Sequence, residues 1–101
     1  MSSFKELVES HPLVLVDFSA EWCQPCKMLK PILKDVAQQM GDRVRILKID
    51  IDKNAQLAGQ LGIQSVPTLI AYRSGEQVWR SSGVLPAHEL IQKLSTLVEN
   101  T

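Results

Sequence analysis

This sequence is poor in cysteine, has no excess of either charge and contains no long apolar run. Its 101 residues include only two cysteines, too few for the disulfide framework of a small secreted protein, so we expect a reducing, cytoplasmic location. Eleven basic residues balance eleven acidic ones without forming a basic block, so the charge pattern of a nucleic-acid-binding protein is missing. The longest aliphatic run covers residues 13–16, too short to span a bilayer, and the charged N-terminal segment lacks the apolar core of a signal peptide. We therefore expect neither a nucleic-acid partner nor a membrane partner.

The composition is typical of a folded globular protein. Apolar residues make up 45% of the chain and charged residues 22%, so disorder is not expected. We predict a single domain over residues 1–101, which at this length buries about two-thirds of its unfolded surface.

The first half of the chain predicts a strand, a helix and a second strand. The continuous apolar run at residues 13–18 is typical of a strand that is covered on both faces. Residues 44–51 predict a second strand, parallel to the first because a helix connects them. That helix ends at Gly41 and carries an apolar stripe of helical period, formed by Met28, Leu29, Ile32, Leu33, Val36, Ala37 and Met40.

The second half predicts an antiparallel hairpin. Residues 68–72 and 77–80 have strand character and flank Ser74-Gly75, a typical turn sequence. Three further helices are predicted at residues 3–10, at residues 54–61 and from Pro86 onward. The predicted fold is α/β, a mixed sheet of about four strands with helices on both faces.

The two cysteines lie together as Cys23-Gln-Pro-Cys26, where the first strand leads into a helix. Free backbone N–H groups and the helix dipole stabilise a thiolate at such a position, so the pair is suited to redox chemistry. We expect Cys23 to be the nucleophile, nearest to solvent, and Cys26 to be the buried resolving thiol. A structural disulfide or half of a zinc site is the alternative, but a zinc site needs four ligands, and the chain has neither a second such pair nor suitably spaced histidines.

Two segments carry a resemblance to a known family. Residues 16–27, Val-Asp-Phe-Ser-Ala-Glu-Trp-Cys-Gln-Pro-Cys-Lys, closely resemble the active-site segment of thioredoxins. Residues 62–68, Gly-Ile-Gln-Ser-Val-Pro-Thr, resemble the loop that carries the cis-proline of that family. The resemblance implies a thioredoxin-like fold, with two departures. Gln24 stands where the family usually has Gly, and so few residues precede Asp17 that we expect the first edge strand to be missing.

The resemblance also implies roles for residues outside the cysteine pair. Asp17 would lie beneath Cys26 and help to move its proton, with Lys48 as the partner of the carboxylate. From the residues alone, a lone carboxylate in an aliphatic strand should have a raised pKa, unless the strand ends there and the side chain reaches water. The resemblance implies a cis bond before Pro67 that leaves the backbone of Val66 free to pair with an extended substrate segment. Without it, a trans bond is the default.

The same resemblance implies a surface that binds protein substrates around Cys23. We call this surface the docking rim and assign to it Trp22, Gln24, Pro25, Val66, Pro67, Gly83 and Val84. Trp22 could instead be buried in the core, as aromatic side chains often are. Trp79 is expected to pack in the core, and Lys27, Asp50 and Asp52 to be solvated surface charges.

A member of this family is expected to reduce disulfides in other proteins through Cys23 and Cys26. The resemblance implies that no metal or organic cofactor is needed, that a thioredoxin reductase supplies the electrons, and that the protein is a monomer. Two other functions stay open: a disulfide oxidant or isomerase with a shifted potential, and a non-catalytic binding subunit. Gln24 bears on the first of these, because residues between the cysteines influence the reduction potential.

Overall fold

A computed structural model of the chain describes residues 3–99. Residues 1–2 and 100–101, the ends of the predicted domain, lie outside the described residues. The elements in chain order are α1 (Phe4–Glu9), β1 (Leu13–Ser19), α2 (Gln24–Met40), a 3-10 turn (Gly41–Arg43), β2 (Arg45–Asp50), α3 (Ala55–Gln60), β3 (Thr68–Arg73), β4 (Glu76–Ser82) and α4 (Ala87–Glu99). Within this part of the chain, no helix is long and apolar enough to cross a membrane.

The strands form one mixed sheet in the order β2-β1-β3-β4. β1 runs parallel to β2 and antiparallel to β3, and β4 pairs antiparallel with β3. This confirms the predicted four-stranded sheet. Among residues 3–99, β2 lies at the edge of the sheet and no further strand pairs with it, which agrees with the expected missing edge strand.

Local sequence signals account for the ends of several elements. Ser3 caps α1 in a capping box, in which its Oγ accepts a 3.1 Å bond from the Glu6 N–H and its own N–H donates to Glu6 Oε1 at 3.2 Å. Gly41 ends α2 with a φ of +56°. In the predicted hairpin, Ser74 and Gly75 have φ values of +53° and +85°, typical of a turn whose twist matches that of the strands.

The helices cover both faces of the sheet, as predicted. On one face, α2 and α4 pack against the sheet through Leu29, Leu33, Val36, Met40, Leu90, Leu94 and Leu97. On the other face, Val8 of α1 is buried, and Leu57 and Leu61 from the α3 region pack against the same cluster. All seven residues of β1 are buried between these layers. Trp79 packs against the α2 and α4 cluster, which confirms its predicted place.

The predicted apolar stripe of α2 is wrong at two positions. Met28 is 59% exposed, and Ala37 is also exposed. The buried positions of α2 are Cys26, Leu29, Leu33, Val36 and Met40, which follow one another at intervals of three and four residues. A helix that packs on a single sheet buries only this narrow arc, and Met28 and Ala37 lie outside it.

Candidate active site

The cysteine pair lies where β1 leads into α2. Cys23 is the N-cap of α2, and its Sγ accepts a 3.1 Å hydrogen bond from the backbone N–H of Cys26. The two Cα atoms are 5.3 Å apart, and the sulfur atoms are in disulfide-bonding geometry. The site therefore places Cys23 Sγ beside the free N–H groups at the start of α2. The sulfur of Cys26 lies within bonding distance of Cys23 Sγ.

Cys26 is buried, as expected, but the expectation that Cys23 lies nearest to solvent is wrong. Cys23 is 3% exposed and Cys26 is 7% exposed, so both are buried in the disulfide state. Ala20 and Val66 pack around them, and the Val66 carbonyl oxygen lies 3.6 Å from Cys23 Sγ. The loop that carries Val66 covers Cys23. The spacing of Cys23 and Cys26 along the helix could not predict this contact, because the loop is distant in the sequence.

Asp17 is buried in the middle of the sheet. Only 3% of the residue is exposed, and Oδ1 has no hydrogen-bond partner among residues 3–99. Burial raises the pKa of Asp17 from 3.8 to about 6, and the charge of Lys48 opposes this increase. The alternative in which the strand ends at Asp17 and the carboxyl reaches water is therefore wrong.

Asp17 and Cys26 line the same cavity, which has a volume of about 390 Å³. Lys48 also lines this cavity, and its backbone is paired with that of Asp17 in the register between β1 and β2. Lys30 and Lys34 of α2 contribute to the walls. The structure thus brings Cys26, Asp17 and Lys48 to one cavity, as the resemblance implied.

The proline loop, residues 61–67, packs against the cysteine pair through Val66. The bond between Val66 and Pro67 is cis, as the resemblance implied. Pro67 is buried, and its carbonyl accepts a 2.9 Å hydrogen bond from the Gly83 N–H. Thr68 Oγ1 donates a 2.7 Å bond to the Ser65 carbonyl.

The docking rim is only partly exposed. Trp22 is 68% exposed, which excludes the core alternative, and Gln24 and Pro25 are exposed at the start of α2. The other residues assigned to the rim are half-buried or buried: Val66, Pro67, Gly83 and Val84. Val84 also packs against the α2 and α4 cluster, so part of its surface belongs to the core.

Sequence reasoning missed three contributors to this region. Asp52 is not simply a solvated charge, because its Oδ2 accepts a 2.9 Å bond from the indole N–H of Trp22. Asp50 is bonded as well, since its Oδ1 accepts from the Asp52 N–H at 2.8 Å and from the Lys53 N–H at 3.3 Å. An aspartate at the end of a strand is a typical signal for such an Asx turn.

The exposed Met28 was also missed, although it follows Pro25 by three residues and therefore lies on the same side of the helix.

Among residues 3–99 there is no group of three or more His, Cys, Asp or Glu side chains that could hold a metal ion. The chemistry supported by the geometry is exchange between two thiols and a disulfide.

Comparison with known proteins gives the same result. The family model described as Thioredoxin matches residues 1–96. The chain is 47% identical to thioredoxin of Bacillus subtilis over 85 residues, which are 84% of this chain and 81% of that protein. It is 42% identical to chloroplastic thioredoxin Y of rice, Oryza sativa subsp. japonica, over 97% of this chain, and it spans 59% of the rice protein's length.

A solved structure shows the same fold. A mutant thioredoxin from Halobacterium salinarum superposes with a TM-score of 0.86 and 34% sequence identity, covering 95% of this chain and 83% of the other. Since the sequence match extends over almost the whole length and the paired cysteines stand at the expected helix start, the chain belongs to the thioredoxin family and is a thiol–disulfide oxidoreductase.

Proposed function

We propose that this protein reduces disulfide bonds in other proteins, with Cys23 as the attacking sulfur and Cys26 as the resolving sulfur. The observation that carries this assignment is the hydrogen bond from the Cys26 N–H to Cys23 Sγ at the first turn of α2. An N–H donor and the positive end of a helix dipole both stabilise a thiolate. Cys26 shares a cavity with Asp17 and therefore has a proton acceptor of its own.

Reduction takes place in two exchange steps. The Cys23 thiolate attacks one sulfur of the substrate disulfide, forms a mixed disulfide and releases the other substrate sulfur as a thiolate. Cys26 then loses its proton to Asp17 and attacks Cys23 Sγ. This step closes the disulfide between the two cysteines and releases the second substrate sulfur. Two electrons pass from the cysteine pair to the substrate.

The pKa of Asp17 suits this role. A value of about 6 leaves the carboxyl mostly ionised at neutral pH, as a proton acceptor must be, yet close enough to neutrality for the proton to be released again. Lys48 keeps this pKa from rising further. Asp17 and Lys48 therefore act together on the thiol of Cys26.

The substrate binds across the proline loop and the docking rim. An extended segment pairs with the backbone of Val66, whose carbonyl lies 3.6 Å from Cys23 Sγ. The exposed ring of Trp22 and the side chains of Pro25 and Met28 supply apolar contact area beside the sulfur pair. Met28 thus joins the docking rim.

A reductase restores the dithiol form of the cysteine pair after each cycle. The protein acts as a monomeric electron carrier in a reducing, cytoplasmic environment. Support for this environment comes from the cysteine content, because both cysteines belong to the site and neither is used as a structural bridge. The family relationship supports disulfide-containing proteins as substrates and a thioredoxin reductase as the electron donor.

The direction of electron flow depends on the reduction potential. Thioredoxins have potentials of about −270 mV, whereas strongly oxidising relatives lie at about −120 mV. Gln24 is the exposed first residue of α2, between the two cysteines, and Gln24→Gly restores the residue usual in the family. Equilibration of both forms with a glutathione couple measures the potential. A wild-type reduction potential of about −120 mV would contradict the proposal that this protein acts as a reductant.

A trapping experiment tests the roles of the two cysteines. Cys26→Ser should accumulate a covalent mixed disulfide with insulin on a non-reducing gel, because the resolving sulfur is absent. Cys23→Ser should accumulate little, and the variant with both substitutions should accumulate none. Equal trapping by the two single variants would overturn the assignment.

A further inference from the structure

Arg80 holds the start of the proline loop. From β4 its Nη1 donates a 2.7 Å hydrogen bond to the carbonyl of Leu61, and its Nη2 donates a 2.8 Å bond to the carbonyl of Gly62. Arg80 is paired with Ile70 in the register of β3 and β4, and Ile70 faces the layer that contains α1 and α3. Directly opposite residues of paired strands point to the same face, so the guanidinium extends toward the end of α3.

The Leu61 carbonyl lies at the C-terminal end of α3, and the Gly62 carbonyl is the next one along the chain. The last carbonyls of a helix have no N–H donor within the helix, and they lie at the negative end of its dipole. Leu61 is the C-cap of α3, and Gly62 follows with a φ of +66°. A planar guanidinium with two parallel donors binds both carbonyls at once, which a lysine ammonium cannot do with the same geometry.

The far end of the proline loop is tied to the same strand region. The Gly83 N–H, three residues beyond Arg80, donates a 2.9 Å bond to the Pro67 carbonyl. The loop thus begins and ends on contacts from β4 and the residue that follows it. Between these two contacts lies Val66, whose carbonyl is 3.6 Å from Cys23 Sγ.

We propose that Arg80 is a positioning residue that fixes the Val66 backbone beside the sulfur pair and thereby sets the affinity for protein substrates. This inference rests on the proposed pairing of a substrate segment with Val66. Arg80 contacts neither sulfur in the described structure, so its loss should weaken the binding of an extended polypeptide and leave the thiol chemistry unchanged.

The test compares a protein disulfide with a small disulfide. With Arg80→Gln, the KM for insulin should rise about tenfold, because both charge-assisted hydrogen bonds to the loop are lost, while kcat stays within about twofold. The rate with hydroxyethyl disulfide, which is too small to pair with the loop, should also stay within about twofold of wild type. Arg80→Lys keeps the charge and should raise the KM for insulin by an intermediate factor.

Arg45→Gln is the matched control. Arg45 is an exposed arginine on β2 whose Nη1 donates a 2.8 Å bond to Ser10 Oγ, so the substitution removes the same charge away from the proline loop. It should leave both substrates unaffected. Equal losses with insulin and hydroxyethyl disulfide, or no change with either, would overturn the proposal, and Arg80→Lys decides the outcome if Arg80→Gln does not fold. A wild-type protein that fails to reduce insulin would contradict the proposed function itself.

Discussion

The indole N–H of Trp22 donates a 2.9 Å hydrogen bond to Asp52 Oδ2, across 30 residues of sequence. Trp22 is 68% exposed, so packing alone does not hold its ring in one orientation. Asp52 in turn follows Asp50, whose carboxylate accepts its backbone N–H at 2.8 Å. The loop after β2 therefore orients the aromatic ring that directly precedes Cys23.

Removal of the acceptor should weaken substrate binding at the docking rim. For Asp52→Ala we expect kcat/KM with insulin to fall about fivefold, equivalent to about 1 kcal/mol, because the Trp22 ring is no longer held in place. Asp52→Asn keeps an acceptor oxygen and should stay within about twofold of wild type. Steady-state kinetics with insulin measure both. If both substitutions lower kcat/KM for insulin equally, the charge of Asp52 matters and the hydrogen bond does not.

The buried carboxyl of Asp17 should make stability depend on pH. Its pKa is raised from 3.8 to about 6 in the folded protein, so between these values the unfolded state loses the proton first and the free energy of unfolding falls as pH rises. The loss is complete above the folded-state pKa and amounts to roughly 3 kcal/mol at neutral pH. Asparagine does not titrate, so Asp17→Asn lacks this loss. The free energy of unfolding of Asp17→Asn minus that of wild type should therefore increase by this amount from about pH 3 to about pH 7.

Urea unfolding of the oxidised protein at several pH values measures this difference. Asp35→Asn is the control, because Asp35 is exposed on α2. A difference between Asp17→Asn and wild type that does not vary with pH would contradict a raised pKa. Loss of the proton acceptor should also slow the release of substrate by Cys26 at neutral pH, in single-turnover measurements with insulin.

Lys48 should control the charge state of Asp17. The positive charge of Lys48 lowers the pKa of Asp17 against the effect of burial, so Lys48→Gln should raise that pKa further above about 6. A larger fraction of Asp17 is then protonated at neutral pH, and the release of substrate by Cys26 should slow. Titration of the Asp17 carboxyl by carbon NMR measures the change. Lys93→Gln on α4 is the control, and an unchanged or lower Asp17 pKa in Lys48→Gln would contradict the coupling.

Local sequence patterns predicted most of the fold. The apolar run of β1, the Ser74-Gly75 turn and the Gly41 helix end depend on side-chain periodicity and on allowed backbone angles, and neighbouring residues determine both. The position of Cys23 at the start of α2 follows from the same local signals. The roles of Asp17 and Pro67 came from the family resemblance. The order of the strands came only from the structure, because local patterns contain no information about which strands pair.

Only the tertiary structure decided how exposed the two sulfurs are, that Met28 faces solvent, and which side chains hold the loops around the site. Each depends on segments far apart in the chain: Val66 covers Cys23, Asp52 binds the Trp22 indole, and Arg80 binds the carbonyl at Leu61. Such contacts form only when whole elements pack together, and the burial of a residue is a property of its neighbours in space. The sequence by itself determined the redox pair and the elements that carry it. The environment that tunes the pair is set by packing, because burial and long-range hydrogen bonds exist only in the folded chain.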